Sequence, residues 1–391
     1  MGKYRLCNGR AVVGDAVNDV DILINGSKIE AIIQPDHKVS ADYRVVDCEG
    51  QYISAGFVDI HQHGGGGSDY MDNDPDAYFR ATEAHLVHGT TSVMPTLLSA
   101  DVDNTLRAVE RYKCALRDSR IRANLIGLHI EGPYISPRQA GAQKPEHIRS
   151  FISDEYRRIF AASEGTVKRW SVAPEIPGAE EFAEFARSNK IALSIAHSDA
   201  DFDTTLAAYS RGYRHITHFY SCISSITRKG GFRVPGILEA AYYLDDMDVE
   251  LIADGCHIPE ALLRYVCKFK KSEHIALVTD AMRAAGQDVT TSFLGSMDDP
   301  LPVVIEDGVA KMLDRKAFAG SVATADRLIR NMINSGVSLT DAIEMMTVNP
   351  IRMMGLDVKK GIIASGFDAD LCVFDEAVRV SKVVCMGELV K

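Results

Sequence analysis

Between residues 54 and 280, short apolar runs alternate with stretches whose apolar residues recur at helical spacing. The runs close at Asp59-Ile60-His61, Val93-Met94-Pro95-Thr96, Leu128-His129-Ile130-Glu131, Val172-Ala173-Pro174-Glu175, Ser194-Ile195-Ala196-His197, His215-Ile216-Thr217-His218, Ile252-Ala253-Asp254 and Val278-Thr279-Asp280. Helical stretches lie between them, for example at 76–88 and 179–189. Eight strands that alternate with helices predict a (β/α)8 TIM-like barrel. A doubly wound open sheet is the alternative, but no Gly-x-Gly-x-x-Gly follows the first strand.

Outside this region the rhythm differs. Asp21-Ile22-Leu23-Ile24 runs into Asn25-Gly26, a hairpin signal, and Ile29-Glu30-Ala31-Ile32-Ile33 follows. Two further helices are expected at 324–334 and 340–348, with Pro350 beyond the second. From Gly361 the chain returns to strand and turn. The expected organisation is a barrel over 54–354 and a small discontinuous β-sandwich built from 1–53 and 355–391.

The polar residues that close the apolar runs carry the chemistry. His61 and His63 are two apart, so a strand presents both imidazoles on one face. Gly64-Gly65-Gly66-Gly67 then lets the backbone turn and another group come close. Glu131, His197, His218 and Asp280 end strands three, five, six and eight, where a barrel places its active site. Burying so many ionisable groups without a partner costs on the order of 2 kcal/mol or more each. A divalent cation supplies the partner, and one or two ions are expected. Imidazole with carboxylate suits Zn foremost, and also Fe, Mn or Co.

Composition narrows the partners. The net charge of −11 argues against nucleic acid, whose phosphate backbone needs a basic surface. No apolar run is long enough to span a membrane. The eight cysteines are scattered and include no Cys-x-x-Cys, which predicts reduced thiols in the cytoplasm.

His61-Gln62-His63-Gly64-Gly65-Gly66-Gly67, Glu131-Gly132-Pro133, Ala196-His197-Ser198, Thr217-His218, Asp254-Gly255-Cys256-His257, Val278-Thr279-Asp280-Ala281 and Gly366-x-Asp368-Ala369-Asp370-Leu371 occur in this order. Together they resemble the N-acetylglucosamine-6-phosphate deacetylases, a branch of the amidohydrolase superfamily. The resemblance implies that Glu131, His197 and His218 hold one ion, and that His61 and His63 hold a second with Glu131 bridging. No lysine stands at the end of strand four, which fits a glutamate bridge rather than a modified lysine. Asp280 becomes the candidate base, with metal ligation or helix capping as its other possible work. Gln143, Ser221, Cys222, Arg233 and His257 become the candidate substrate contacts. Arg233 matches an arginine that meets the substrate phosphate, sometimes from a neighbouring subunit, so a homodimer is expected.

Two departures bear on substrate. Ser221-Cys222 replaces an Asn-Ala pair that helps hold the phosphate in many members, and Gln143 stands where some members have histidine. The expected activity is therefore deacetylation of N-acetylglucosamine 6-phosphate. The alternatives are another N-acyl substrate, such as N-acetylgalactosamine 6-phosphate, or a catalytically silent binding protein. His129 is expected behind the ligands, and His37, His85, His88, His147, His215 and His274 to be structural or on the surface.

Overall fold

The computed structural model describes residues 2–391. Its centre is a parallel barrel. Strand one is Phe57–Gln62, strand two Thr90–Leu97, strand three Leu128–Glu131 and strand four Val167–Val172. Strand five is Ala192–Ile195, strand six Tyr213–Ile216, strand seven Asp248–Leu251 and strand eight Ile275–Leu277. Each pairs in parallel with the next, from one to eight. The ring closes just past the strand ends, where Gln62 bridges Ala281 and the Asp280 N–H donates to the His61 carbonyl at 2.9 Å.

The alternation within these strands decides the layers. Leu128, Ile130, Trp170, Val172, Val249 and Leu251 join the apolar cluster that packs on the helices. Their neighbours His129, Arg169, Ser171, Glu250 and Thr217 are buried as well, yet they are polar. The barrel therefore carries a buried hydrogen-bonded network beside the helix-facing apolar cluster, and Val58, Ile60, Met94, Ile252, Ala276 and Val278 form a separate apolar cluster.

Both chain ends build two further sheets. Lys3–Cys7, Asp21–Asn25, Lys28–Ile33 and Arg44–Asp47 form one. Arg10–Val13, Ala16–Asp19 and Tyr52–Ala55 join Leu371–Phe374, Val380–Cys385 and Glu388–Leu389 in the other. Leu371 lies opposite Ala55, so the C-terminal strands are stitched directly to the segment that leads into the barrel. Leu6, Ile22, Ile24, Ile29, Val46, Ile53, Leu371, Val373 and Val384 share one apolar core. The hairpin at Asn25-Gly26 is present, with Gly26 at φ +60°.

Two elements differ from the sequence reading. The stretch at 340–348 is not one helix: Leu339–Glu344 ends, and a new helix, Val348–Met353, begins. Pro350 sits in the first turn of that second helix, where its missing N–H costs nothing. A three-stranded antiparallel sheet, Thr291–Leu294, Leu301–Glu306 and Val309–Met312, follows strand eight. It leads into a turn, and that turn reaches the mouth of the active-site cavity.

Candidate metal centre and active site

Six side chains from five strands meet at the C-terminal end of the barrel. Among the described residues, His61, His63 and Asp280 form one cluster of convergent ligand atoms, and Glu131, His197 and His218 form another. Glu131 joins the two. Its Oε1 is 3.2 Å from His197 Nε2 and 2.9 Å from His218 Nε2, while its Oε2 is 3.4 Å from His63 Nε2. Asp280 Oδ1 lies 3.1 Å from His63 Nε2 and 3.5 Å from His61 Nε2.

The outer nitrogen of each imidazole decides what the inner one carries. His197 Nδ1 is 2.7 Å from the Gln139 carbonyl, and His218 Nδ1 is 3.2 Å from the Ser221 carbonyl. His63 Nδ1 faces the Thr96 carbonyl and His61 Nδ1 faces the Glu250 carboxylate, each at 3.3 Å. All four partners are acceptors, so each Nδ1 carries the proton and donates it. In a neutral ring that leaves Nε2 bare. Four bare lone pairs then point at one another and at two carboxylates. His197 and His218 bring their Nε2 atoms to 3.2 Å, and His61 Nε2 is buried with no hydrogen-bond partner. Lone pairs packed this way repel unless positive charge stands among them. The residues thus fit a divalent ion by their own chemistry.

The acid–base balance agrees. Burial disfavours a charged His63, yet hydrogen bonding and charge from Asp280 and Glu131 outweigh it and hold its pKa up at about 10. Burial likewise works against His61, and Asp280 and Glu131 lift it to about 9. Burial would raise the Glu131 carboxyl, but the surrounding histidines hold it well below its usual value. Without a cation, the cluster takes up protons to satisfy the carboxylates.

The backbone is bent to make this arrangement. His197, His218 and Asp280 have φ of +45°, +32° and +46°, in the left-handed region that costs a side-chain-bearing residue about 1–2 kcal/mol. Each is pinned through its carbonyl, which accepts from the N–H of Ser136, Ser221 and Ser321 at 2.8, 2.9 and 2.8 Å respectively. Gly64 and Gly65 pair with Ser68 and Asp69 in a tight return. A Cβ on Gly64 would stand 2.1 Å from the Ser68 carbonyl oxygen, which explains the glycine there.

A cavity of about 270 Å³ opens above the cluster, lined in part by Glu131, His197, His218 and Asp280. Ser221, Cys222 and His257 also line it, and the His257 Nδ1 is held by Asp254 at 2.8 Å. Gln143 lines it too, but its amide is already engaged. Its Oε1 accepts from the Ser99 N–H at 2.9 Å, and its Nε2 donates to Glu131 Oε2 at 3.0 Å. Arg233 is not among the lining residues. It stands exposed on the hairpin Thr227–Lys229 and Phe232–Val234.

Several side chains that serve this site carried no assignment in the sequence. Glu250 in strand seven orients His61, and Arg169 in strand four pairs with Glu250 and donates to Thr217 at 2.8 Å. Glu250 had a signal, a lone carboxylate between Val249 and Leu251 in an apolar run. Arg169 had none, since Lys168 precedes it and only the fold tells which points inward. His129 packs edge-on against His61, with ring centres 4.9 Å apart. Glu175, at the end of strand four, stays outside the cluster and accepts from the Ser198 hydroxyl at 2.6 Å.

Residues 52–390 match the amidohydrolase family. The N-acetylgalactosamine-6-phosphate deacetylase of Escherichia coli O157:H7 is 29% identical over 347 residues, 88% of this chain and 89% of that protein. The N-acetylglucosamine-6-phosphate deacetylase of Lysinibacillus sphaericus is 29% identical over 371 residues, 95% of this chain and 93% of that protein. Among solved structures, a mutant N-acetyl-D-glucosamine-6-phosphate deacetylase from Mycobacterium smegmatis, in complex with N-acetyl-D-glucosamine-6-phosphate, superposes with a TM-score of 0.90. Its identity is 29%, and the match covers 100% of both chains.

Proposed function

This chain belongs to the amidohydrolase family, and we propose that it is a metal-dependent deacetylase that converts N-acetyl-D-glucosamine 6-phosphate to glucosamine 6-phosphate and acetate. The observation that carries the reading is the convergence of four imidazoles, each with its Nδ1 committed to an acceptor, on two carboxylates at the floor of a small cavity. The family match and the deacetylases that align along nearly the whole chain support it.

Glu131, His197 and His218 would hold one divalent ion, and His61, His63 and Asp280, with Glu131 shared, a second. Zn suits this donor set foremost, and Fe, Mn or Co also fit. When bound, the ion supplies Lewis acidity that polarises an amide carbonyl and makes water easier to deprotonate. The rest falls to the protein. Asp280, at the cavity floor, takes a proton from the attacking water through its carboxylate. It then delivers that proton to the amide nitrogen as the carbon–nitrogen bond breaks, so acetate and the free amine leave. His257, oriented by Asp254, faces the cavity as a donor to the sugar, and Ser221 and Cys222 also line it. Gln143 acts on Glu131 and not by titrating, since an amide cannot.

The reading includes a homodimer. Tyr220, Ile226, Leu238, Tyr242, Tyr265 and Phe269 line a groove together with Ser225 and Glu239, and Phe232, on the hairpin that carries Arg233, is 79% exposed. A second copy would cover this surface and receive Arg233 at its own cavity. All eight cysteines are free thiols, which supports a cytoplasmic location. The Escherichia coli relative favours one alternative, N-acetylgalactosamine 6-phosphate as the substrate.

The test is acetate release from both epimers, each with and without the phosphate, before and after chelation. Chelator-sensitive release from phosphorylated N-acetylglucosamine is expected. Preference for the galactose epimer would move the substrate to the alternative. Silence on all four compounds in metal-loaded protein would overturn the reading.

A further inference from the structure

The antiparallel sheet that follows strand eight sends its last turn over the cavity mouth, and the turn carries an uncommitted cation. Lys316 is the only lysine or arginine among the residues that line the cavity, together with Ala317 and Phe318 of the same turn. Its neighbours on that sheet are spoken for. Lys311 pairs with Asp307 at 2.5 Å and with Glu306 at 3.6 Å, and Arg315 pairs with Glu306 at 3.1 Å. Among the described residues, the Lys316 ammonium has no carboxylate partner.

The turn is anchored, so this placement is not incidental. The Met312 N–H donates to the Ala317 carbonyl, and the Ala319 N–H to the Ala310 carbonyl, each at 2.9 Å. Phe318 bridges Lys311 across the hairpin, and its ring packs on His257 with centres 4.7 Å apart. The Lys316 N–H is itself capped by the Asp314 carboxylate at 3.0 Å. Lys316 therefore stands two residues from a ring in contact with a cavity-lining histidine. Ser221 and Cys222 line the same cavity, and neither is a basic residue.

From this placement we propose that Lys316 is a specificity-determining residue that binds the anionic group of the substrate from within the same chain. The inference rests on the deacetylase reading above. An ammonium on a flexible stem meets a phosphate as a point charge and needs no fixed fork. In its own chain Arg233 lies on an exposed hairpin outside the cavity, so Lys316 is the cation that an isolated chain offers to a phosphate there. The two residues divide the work: Arg233 depends on a second copy, and Lys316 does not.

The experiment compares kcat/KM for N-acetylglucosamine 6-phosphate with that for N-acetylglucosamine in the wild type, Lys316→Met, Lys316→Arg and Arg233→Ala, all metal-loaded. Loss of one charge-assisted contact corresponds to about a ten- to hundredfold change. Lys316→Met is expected to lower the preference for the phosphorylated sugar by that factor, through KM and not kcat, and Lys316→Arg to restore most of it. Lys316→Met with wild-type preference, beside an Arg233→Ala variant that loses it, would overturn the proposal and leave the deacetylase reading standing. A wild type inactive on both sugars would instead mark the failure of that reading. A melting temperature equal to that of the wild type checks that each variant is folded.

Discussion

The sandwich core and the barrel interior are buried to the same degree and made of opposite chemistry. Between the two sheets, Leu6, Ile22, Ile24, Ile29 and Val373 belong to one apolar cluster. Inside the barrel, Asp59, His61, His129, Arg169 and Glu250 are each 0% exposed. The first region gains from removing hydrocarbon from water, and it tolerates changes that keep volume. The second gains nothing from burial itself, and it stands because most of its polar groups meet partners. Thr279 Oγ1 donates to Asp59 at 2.6 Å, Gln62 Nε2 donates to Asp59 at 2.9 Å, and Arg169 Nε donates to Ser194 at 3.0 Å. Such a network is stiff when complete and costly when one member is lost. Stiffness is what a metal site needs, because its ligands must stay aimed before the ion arrives.

The largest contrast is expected at the floor of the cavity. Asp280→Asn keeps the shape and removes the proposed base, and turnover should fall by about 10³-fold, measured as acetate release per metal-loaded chain. Near-normal turnover would take Asp280 out of that role. The next is Glu250→Gln, which leaves the Arg169 guanidinium buried with no anion. Breaking a buried pair costs about 3–5 kcal/mol, readable by urea unfolding. A loss below about 1 kcal/mol, the scale of an exposed pair, would show that the network is not dry.

A sandwich substitution should separate stability from chemistry. Ile22→Ala is expected to cost about 2–5 kcal/mol while kcat/KM per metal ion stays at the wild-type level. A parallel fall in kcat/KM would mean that the two regions are mechanically coupled. The smallest effect is a pH dependence at His85, which sits behind the glycine return with its ring nitrogen 2.9 Å from the Gly64 carbonyl. Burial pushes its pKa down to about 4, from an ordinary value of 6.5. The unfolded chain therefore binds this proton and the folded chain refuses it as pH falls from 6.5 to 4. The contribution of His85 is present in full above pH 6.5 and is lost across that window. His85→Gln should flatten this part of a melting-temperature profile, and an unchanged slope would assign the loss to other groups.

The barrel was legible because each strand is a short apolar run closed by a polar residue, and the same feature pointed to His61, His63, Glu131, His197, His218 and Asp280. What escaped had a weak local signature, as for Glu250, or none, as for Arg169. Arg169 and Glu250 lie within strands, where the sequence does not say which neighbour faces inward until the register is known. The sheet from Thr291 to Met312 mixes exposed, half-buried and buried residues without a strict period, a weak pattern, and only its fold brings Lys316 and Phe318 to the cavity. Gln143 was expected among the substrate contacts and does line the cavity, yet its engagement with Glu131 and Ser99 depends on a contact 44 residues away in sequence. The break between Leu339–Glu344 and Val348–Met353 was hidden because Pro350 stops one helix as readily as it starts another.

The central claim is that the convergent bare nitrogens exist to hold divalent metal for amide hydrolysis. The most direct measurement is elemental analysis of the purified protein, paired with acetate release before chelation, after it and after metal is restored. One or two ions per chain are predicted, with activity that disappears with them and returns on reloading. Full acetate release from metal-free protein would contradict the account.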